Sequence, residues 1–311
     1  MSLALVVIGA LLLVVPGLAG RWLRRLPPRD WAGLATASLL GGLVALETGL
    51  VTLATPTVLR SVGWSGLARA CDRMFRSLAI GGPALGWSAA GAAIVVTVGA
   101  GWGVIRARRL HRAAHVDAWL GDHRRREDHE LVLLPAQEPV AYSLPGHRPQ
   151  IVISEGLSHV LTDDQLRAVL RHEHAHLRLH HSRHLLLAAA IDRAVGAVPG
   201  IRRSTTSLRV GLERWADEEA AGTGDEDRRS LQDALVAIAR ATAAPGLAAF
   251  EGVHATVDRV EALAAPPRSI SMAHRALAWG GLAIVWVAGM SALGLWIGRT
   301  GAVLAMAGYC T

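Results

Sequence analysis

Arg171-His172-Glu173-His174-Ala175-His176 sets two imidazoles four residues apart with a carboxylate between them. On a helix, residues i and i+4 lie one above the other on the same face. Imidazoles so placed can share one tetrahedral metal ion, and the intervening carboxylate can reach water beside it. The spacing predicts a metal site at His172 and His176 with Glu173 as general base, provided the stretch is helical. The flanking residues favour that. Thr162 and Gln165 form a capping-box pattern, and Leu161 and Leu166 can form a hydrophobic staple across it. Asp163 and Asp164 fall where the helix dipole favours negative charge. Leu166, Val169 and Leu170 give an apolar stripe, and no Gly or Pro interrupts the run to Ala190, so one helix is expected throughout.

The chain holds 14 histidines, and His172, His174, His176, His180, His181 and His184 crowd one region, which raises the odds of a chance match. A catalytic zinc site needs a third protein ligand and one open position. The metzincin pattern requires Gly and His where this chain has Leu179 and Ser182, so that class is excluded. His180 lies one more turn along the expected helix, and a straight helix cannot wrap three successive turns around one ion. The third candidate is Glu213, in Glu213-Arg214-Trp215-Ala216-Asp217 on a second expected helix, with Asp217 placed to accept the outer N–H of a ligating histidine. Taken alone, both read better as solvated surface charges like Glu218 and Glu219.

H-E-x-x-H followed by E-x-x-A-D resembles the integral-membrane gluzincins, namely the HtpX/Ste-type proteases and the BlaR/MecR-type signalling peptidases. The resemblance covers about 130 residues. It takes in Val140-Ala141-Tyr142-Ser143, Gly146, Ile151-Val152-Ile153-Ser154-Glu155-Gly156-Leu157 and Arg259-Val260-Glu261-Ala262-Leu263. It implies one Zn2+ held by His172, His176 and Glu213, with Asp217 behind them and Glu173 as the base. By the same resemblance, Val140, Ala141, Tyr142 and Ser143 form an edge strand that binds substrate by β-addition. Arg259 and His254 would stabilise a developing oxyanion or hold the substrate backbone. The family's Pro after His254 is replaced here by Ala255.

Composition points to a membrane protein. The 311 residues are 51% hydrophobic, with a mean hydropathy of +0.33, too apolar for an ordinary soluble domain. All 32 basic residues are Arg and the net charge is +7. Much of that charge flanks apolar segments, as the positive-inside rule would place it, and no nucleic-acid motif accompanies it. Four stretches approach the roughly 20 residues that cross a bilayer: 3–19, 33–55, 84–105 and 276–297. If each crosses once, Arg21 to Arg29 and Arg106 to Arg112 fall on one side, taken as cytoplasmic. Cys71 and Cys310 then lie outside, where an oxidising exterior permits a disulfide between them; two free thiols are the equal alternative. Glu47 inside the second span reads as a protonated carboxyl bonded between packed helices near Thr48 and Thr52, the alternative being a contact that couples the membrane helices to the catalytic domain.

The expected architecture is mainly helical: about four transmembrane helices and a cytoplasmic α+β, zincin-like catalytic domain with a small sheet. Residues 1–110 form the membrane region, 111–272 the catalytic domain, and 273–311 the fourth span and an outer tail. Within the catalytic domain, Arg112 to Glu130 reads as a charged helical stem. Leu131 to Leu134, Val140 to Ser143 and Ile151 to Ser154 read as strands, and Arg228 to Ala243 as an amphipathic helix. The expected partners are a protein or peptide substrate and the lipid bilayer, with no direct nucleic acid. Similarity to BlaR/MecR-type proteins implies cleavage of a cytoplasmic repressor. Similarity to HtpX-type proteins implies quality control of membrane proteins. A non-catalytic adaptor retaining the zinc fold is a third reading, against which Glu173 argues.

Overall fold

The computed structural model describes residues 2–64, 82–222, 224–242, 248–265 and short pieces between 272 and 298, the side chains of 21 and 248–255 excepted. Cys71 and Cys310 lie outside the described residues, and so does the side chain of His254.

Among the described residues, two helices are long and apolar enough to cross a membrane: α3, Pro28–Ser61, and α4, Gly82–Trp119. Before them run α1, Ser2–Leu18, apolar but shorter, and the single turn α2, Gly20–Leu23. Isolated large apolar side chains on a surface mean little, but α4 carries a dense set, with Trp87, Ile94, Val95, Val98, Trp102 and Ile105 all exposed. These helices suggest membrane association. The expected fourth span is helical at its described residues and packs on α3. Arg275 pairs with the buried Asp30 at 2.6 Å, and Trp286 donates to the Ala37 carbonyl at 3.2 Å. Glu47 on α3 accepts a hydrogen bond from Thr97 on α4, a contact between packed helices as expected.

Beyond α4 come β1, Asp122–Arg125, β2, Glu130–Leu134, β3, Ala141–Leu144, and β4, Gln150–Ser154. Among the described residues they form one sheet in the order β1-β2-β4-β3, with β2 and β4 parallel and both outer pairs antiparallel. β4 is buried along Ile151, Val152 and Ile153, as expected for a central strand of apolar β-branched residues. β3 is the edge that faces the motif helix. Ser154 fixes its approach: the hydroxyl accepts from the Val140 and Leu157 amides and donates to the Glu138 carbonyl.

The helices after the sheet are α5, Glu155–Val160, α6, Asp163–Arg178, α7, His181–Val195, α8, Pro199–Ala221, α9, Asp225–Thr242, and α10, Ala248–Ala264. The Thr162–Gln165 capping box forms as the sequence predicts. α6 lays Val169 and Leu166 on Ile151, Ile153, Leu157 and Leu161, which seats the motif against the sheet. α8 begins on Pro199 at its first turn, where the missing N–H costs nothing, and ends at Gly222 with φ +55°. Its buried face shares a core with the N-terminal helices: Leu13, Trp31, Leu39, Ile191, Leu208 and Leu212 pack together. Ser204 and Ser207 extend that contact by accepting hydrogen bonds from the Gly17 amide and the Trp31 indole. α4 lies close on α7 through Gly99 and Gly103, where an added Cβ would overlap the α7 backbone at Ala194 and Ala189.

Three expectations are corrected here. The helix through the motif does not run on to Ala190. It ends at Arg178, and His180 takes a left-handed conformation, φ 54° and ψ 37°, from which α7 starts in a new direction. No Gly or Pro marks the turn, so periodicity alone could not find it. The stem expected from Arg112 to Glu130 stops as a helix at Trp119, and 122–125 form strand β1, held by pairing to β2 and not by any apolar face of its own. That stem is also continuous with the third expected span, in the single helix α4.

Candidate metal centre

α6 and α8 bring His172, His176 and Glu213 together. The two Nε2 atoms lie 3.1 Å apart. Glu213 Oε2 is 3.5 Å from Nε2 of His172, and Oε1 is 3.6 Å from Nε2 of His176. Ligand atoms on a tetrahedral zinc, each roughly 2.0–2.2 Å from the ion, stand about 3.4 Å apart. The imidazole pair and the two carboxylate oxygens, one turned toward each ring, are spaced close to that length. α6 and α8 are clamped in this register by Arg171, which donates to the Ala220 carbonyl at 3.0 Å, and by an Arg178–Glu219 ion pair.

Behind the triangle, Asp217 Oδ1 lies 3.0 Å from Nδ1 of His172, a close ion pair without the alignment of a full hydrogen bond. The structure thus sets Asp217 beside the outer nitrogen of His172. Arg259 on α10 grips the other side of that carboxylate, donating through Nη2 and Nε at 2.6 and 2.8 Å, while its Nη1 stands 3.3 Å from Glu213 Oε2. Glu173 is buried beside them.

Glu173, Glu213 and Asp217 gather around one guanidinium, that of Arg259. Burial pushes the His172 pKa down, but the carboxylates of Asp217 and Glu213 outweigh burial and raise it to about 9. His176 goes the other way, to about 4, chiefly through burial. Burial raises the Glu213 carboxyl, yet His172, Arg259 and His176 reverse this and hold it well below the usual carboxylate range. Burial also raises Glu173, here without being overturned. The donor set of two imidazoles and a carboxylate suits zinc.

His181 is the residue that sequence reasoning passed over. It is fully buried, and its Nδ1 lies 2.8 Å from Nδ1 of His176. Its ring also packs against Trp215, with centroids 5.1 Å apart. Its presence in a histidine-rich run was visible, but the contact depends on the turn at His180.

The triangle opens into a cleft of about 740 Å3. One wall is Val140, Ala141, Tyr142 and Ser143; Leu157, Val169, Leu231, Leu235 and Ile238 give it apolar surface, and Glu173 and Arg259 also line it. The β3 edge, the base and the three candidate ligands therefore face one space.

The model of Peptidase family M48 matches residues 105–208. That third of the chain contains the edge strand and the H-E-x-x-H helix and ends at Leu208, before Glu213, so the third ligand rests on the geometry above. The match supports a metallopeptidase of family M48, a family of zinc enzymes. No curated protein and no solved structure matches the chain.

Proposed function

We propose that the chain is a membrane-embedded zinc metalloendopeptidase that hydrolyses peptide bonds of a protein substrate, and that this substrate is a cytoplasmic transcriptional repressor cleaved in a signalling pathway. The observation that carries the peptidase reading is the convergence of two Nε2 atoms, 3.1 Å apart, on the Glu213 carboxylate, whose two oxygens lie 3.5 and 3.6 Å from them, beside the buried Glu173. The repressor reading rests on the resemblance of H-E-x-x-H followed by E-x-x-A-D to BlaR/MecR-type peptidases, a resemblance shared with the HtpX/Ste-type proteases.

His172, His176 and Glu213 would hold the ion. When bound, zinc supplies Lewis acidity, polarising a scissile carbonyl and making water easier to deprotonate. The rest falls to the chain. Glu173 takes a proton from the attacking water and later delivers it to the leaving amine, and its raised pKa suits a group that must do both. Ser154 Oγ holds the Val140 amide and the Val140 carbonyl accepts from the Ser154 amide, so the antiparallel alternation turns the Ala141 and Ser143 backbone toward the open side. An extended substrate can add there as a further strand. Asp217 and Arg259 orient the ligands; Arg259 also lines the cleft, within reach of a substrate carbonyl.

The experiment is a comparison of cytosolic and membrane peptides from cells carrying wild type or Glu173→Gln. Loss of cleavage of one transcription factor in the variant is expected. Many membrane-protein fragments would instead favour a quality-control protease. Identical peptides would mean a non-catalytic adaptor and refute the proposal.

A further inference from the structure

We propose that Asp128, His129 and His174 form a second divalent-cation site, apart from the cleft, that takes zinc and pins the β1–β2 hairpin to α6. The three ligand atoms lie within 4.8 Å of one another. Asp128 Oδ1 is 2.7 Å from Nδ1 of His129, and Oδ2 is 2.6 Å from Nε2 of His174. The two rings stand side by side, centroids 5.3 Å apart and tilted by 32°. His174 sits two residues from both His172 and His176, so its side chain leaves the helix on the far side, roughly 200° around from theirs.

The outer arm of the hairpin is held to the sheet by strand pairing. Asp122-His123-Arg124-Arg125-Arg126-Glu127-Asp128-His129 contains no apolar residue, and every residue of β1 is exposed. Hydrophobic burial cannot fasten this segment to the domain. Its turn is closed by the Arg126 amide on the His129 carbonyl at 2.9 Å, a bond internal to the hairpin. β2 meets α6 through Leu131 and Leu133, whereas the polar arm meets it through the Asp128–His174 contact. Two imidazoles and a carboxylate suit zinc and its borderline neighbours, whereas calcium and magnesium prefer oxygen ligands. The present distances are those of ion pairs, and reaching tetrahedral edges of about 3.4 Å needs each partner to give by less than an ångström. Asp128 is exposed and His174 borders solvent, so both have room to move and water can complete the shell.

The test is zinc content of the full-length protein after dialysis against buffered saturating zinc, with amide exchange followed over 122–134. Two equivalents are expected in wild type. One is expected in the Asp128→Asn/His129→Asn double variant, and one in His172→Ala, whose loss falls on the cleft group. The second equivalent should slow hairpin exchange at least tenfold in wild type and leave it unchanged in the double variant. The proposal is overturned by a single equivalent in wild type together with none in His172→Ala, by two equivalents in the double variant, or by hairpin exchange that ignores zinc. Should the double variant lose both equivalents, wild type decides: exchange must slow with the second equivalent and not with the first.

Discussion

Nδ1 of His181 stands 2.8 Å from Nδ1 of His176, so the outer nitrogen of a candidate metal ligand is held by another buried imidazole. With Nε2 of His176 facing the ion, Nδ1 must carry the hydrogen and donate, and His181 must accept. Partners of this kind fix the tautomer and ring orientation, and losing one costs about 10–100-fold in metal affinity. His181→Phe, which keeps a ring beside Trp215, should weaken zinc binding by about that factor. His181→Asp, which restores an acceptor, should recover part of it. Competition with a zinc chelator reads both.

Arg259 should behave as a clamp. It ties Asp217 and Glu213 together from α10, and removing one member of a buried ion pair typically costs about 3–5 kcal/mol. Arg259→Gln is expected to lower the unfolding free energy by that order and to weaken zinc binding. Burial alone would raise the Asp217 pKa, but Arg259 and His172 hold it below its ordinary 3.8. A depressed carboxyl stabilises the fold at neutral pH, and that contribution is lost as pH falls below 3.8 through the folded-state value. Wild type should therefore lose stability over that acid range, and Arg259→Gln should lose less there. Equal acid sensitivity of the two proteins would show that the pair does not couple to folding.

Much of the metal centre was legible in the sequence because its parts are local. The i, i+4 histidines, the Thr162–Gln165 cap and the E-x-x-A-D spacing each work within one helix, and α6 and α8 display them as the periodicity demands. What periodicity could not supply is the relation between elements. His180 turns the chain without Gly or Pro, so the break that brings His181 under His176 left no local mark. β1 is polar at every position, and its strand character comes from the register Asp122↔Leu133 with β2, a partner eleven residues away. The continuous helix from the third span to Trp119 was likewise hidden, since its apolar and charged halves look like separate elements.

The edge strand can be tested without touching the metal. The Ala141 amide faces the open side of β3, so Pro at that position removes a donor the sheet does not use. One substrate hydrogen bond is worth about 0.5–1.5 kcal/mol. Ala141→Pro should therefore lower kcat/KM by roughly 2- to 12-fold, with zinc content and melting temperature kept. Tyr142→Pro removes an amide turned toward β4 and should destabilise the fold instead. If the two variants behaved alike in peptidase and melting assays, substrate addition at this edge would be wrong.

The central claim is that one ion is held jointly by α6 and α8 beside Glu173. The most direct measurement is anomalous scattering at the zinc edge from crystals of Glu173→Gln grown with zinc. The account predicts a peak at roughly 2.0–2.2 Å from Nε2 of His172, Nε2 of His176 and an oxygen of Glu213 together. No peak between the two imidazoles, or a peak there with the Glu213 carboxylate turned away, would contradict it.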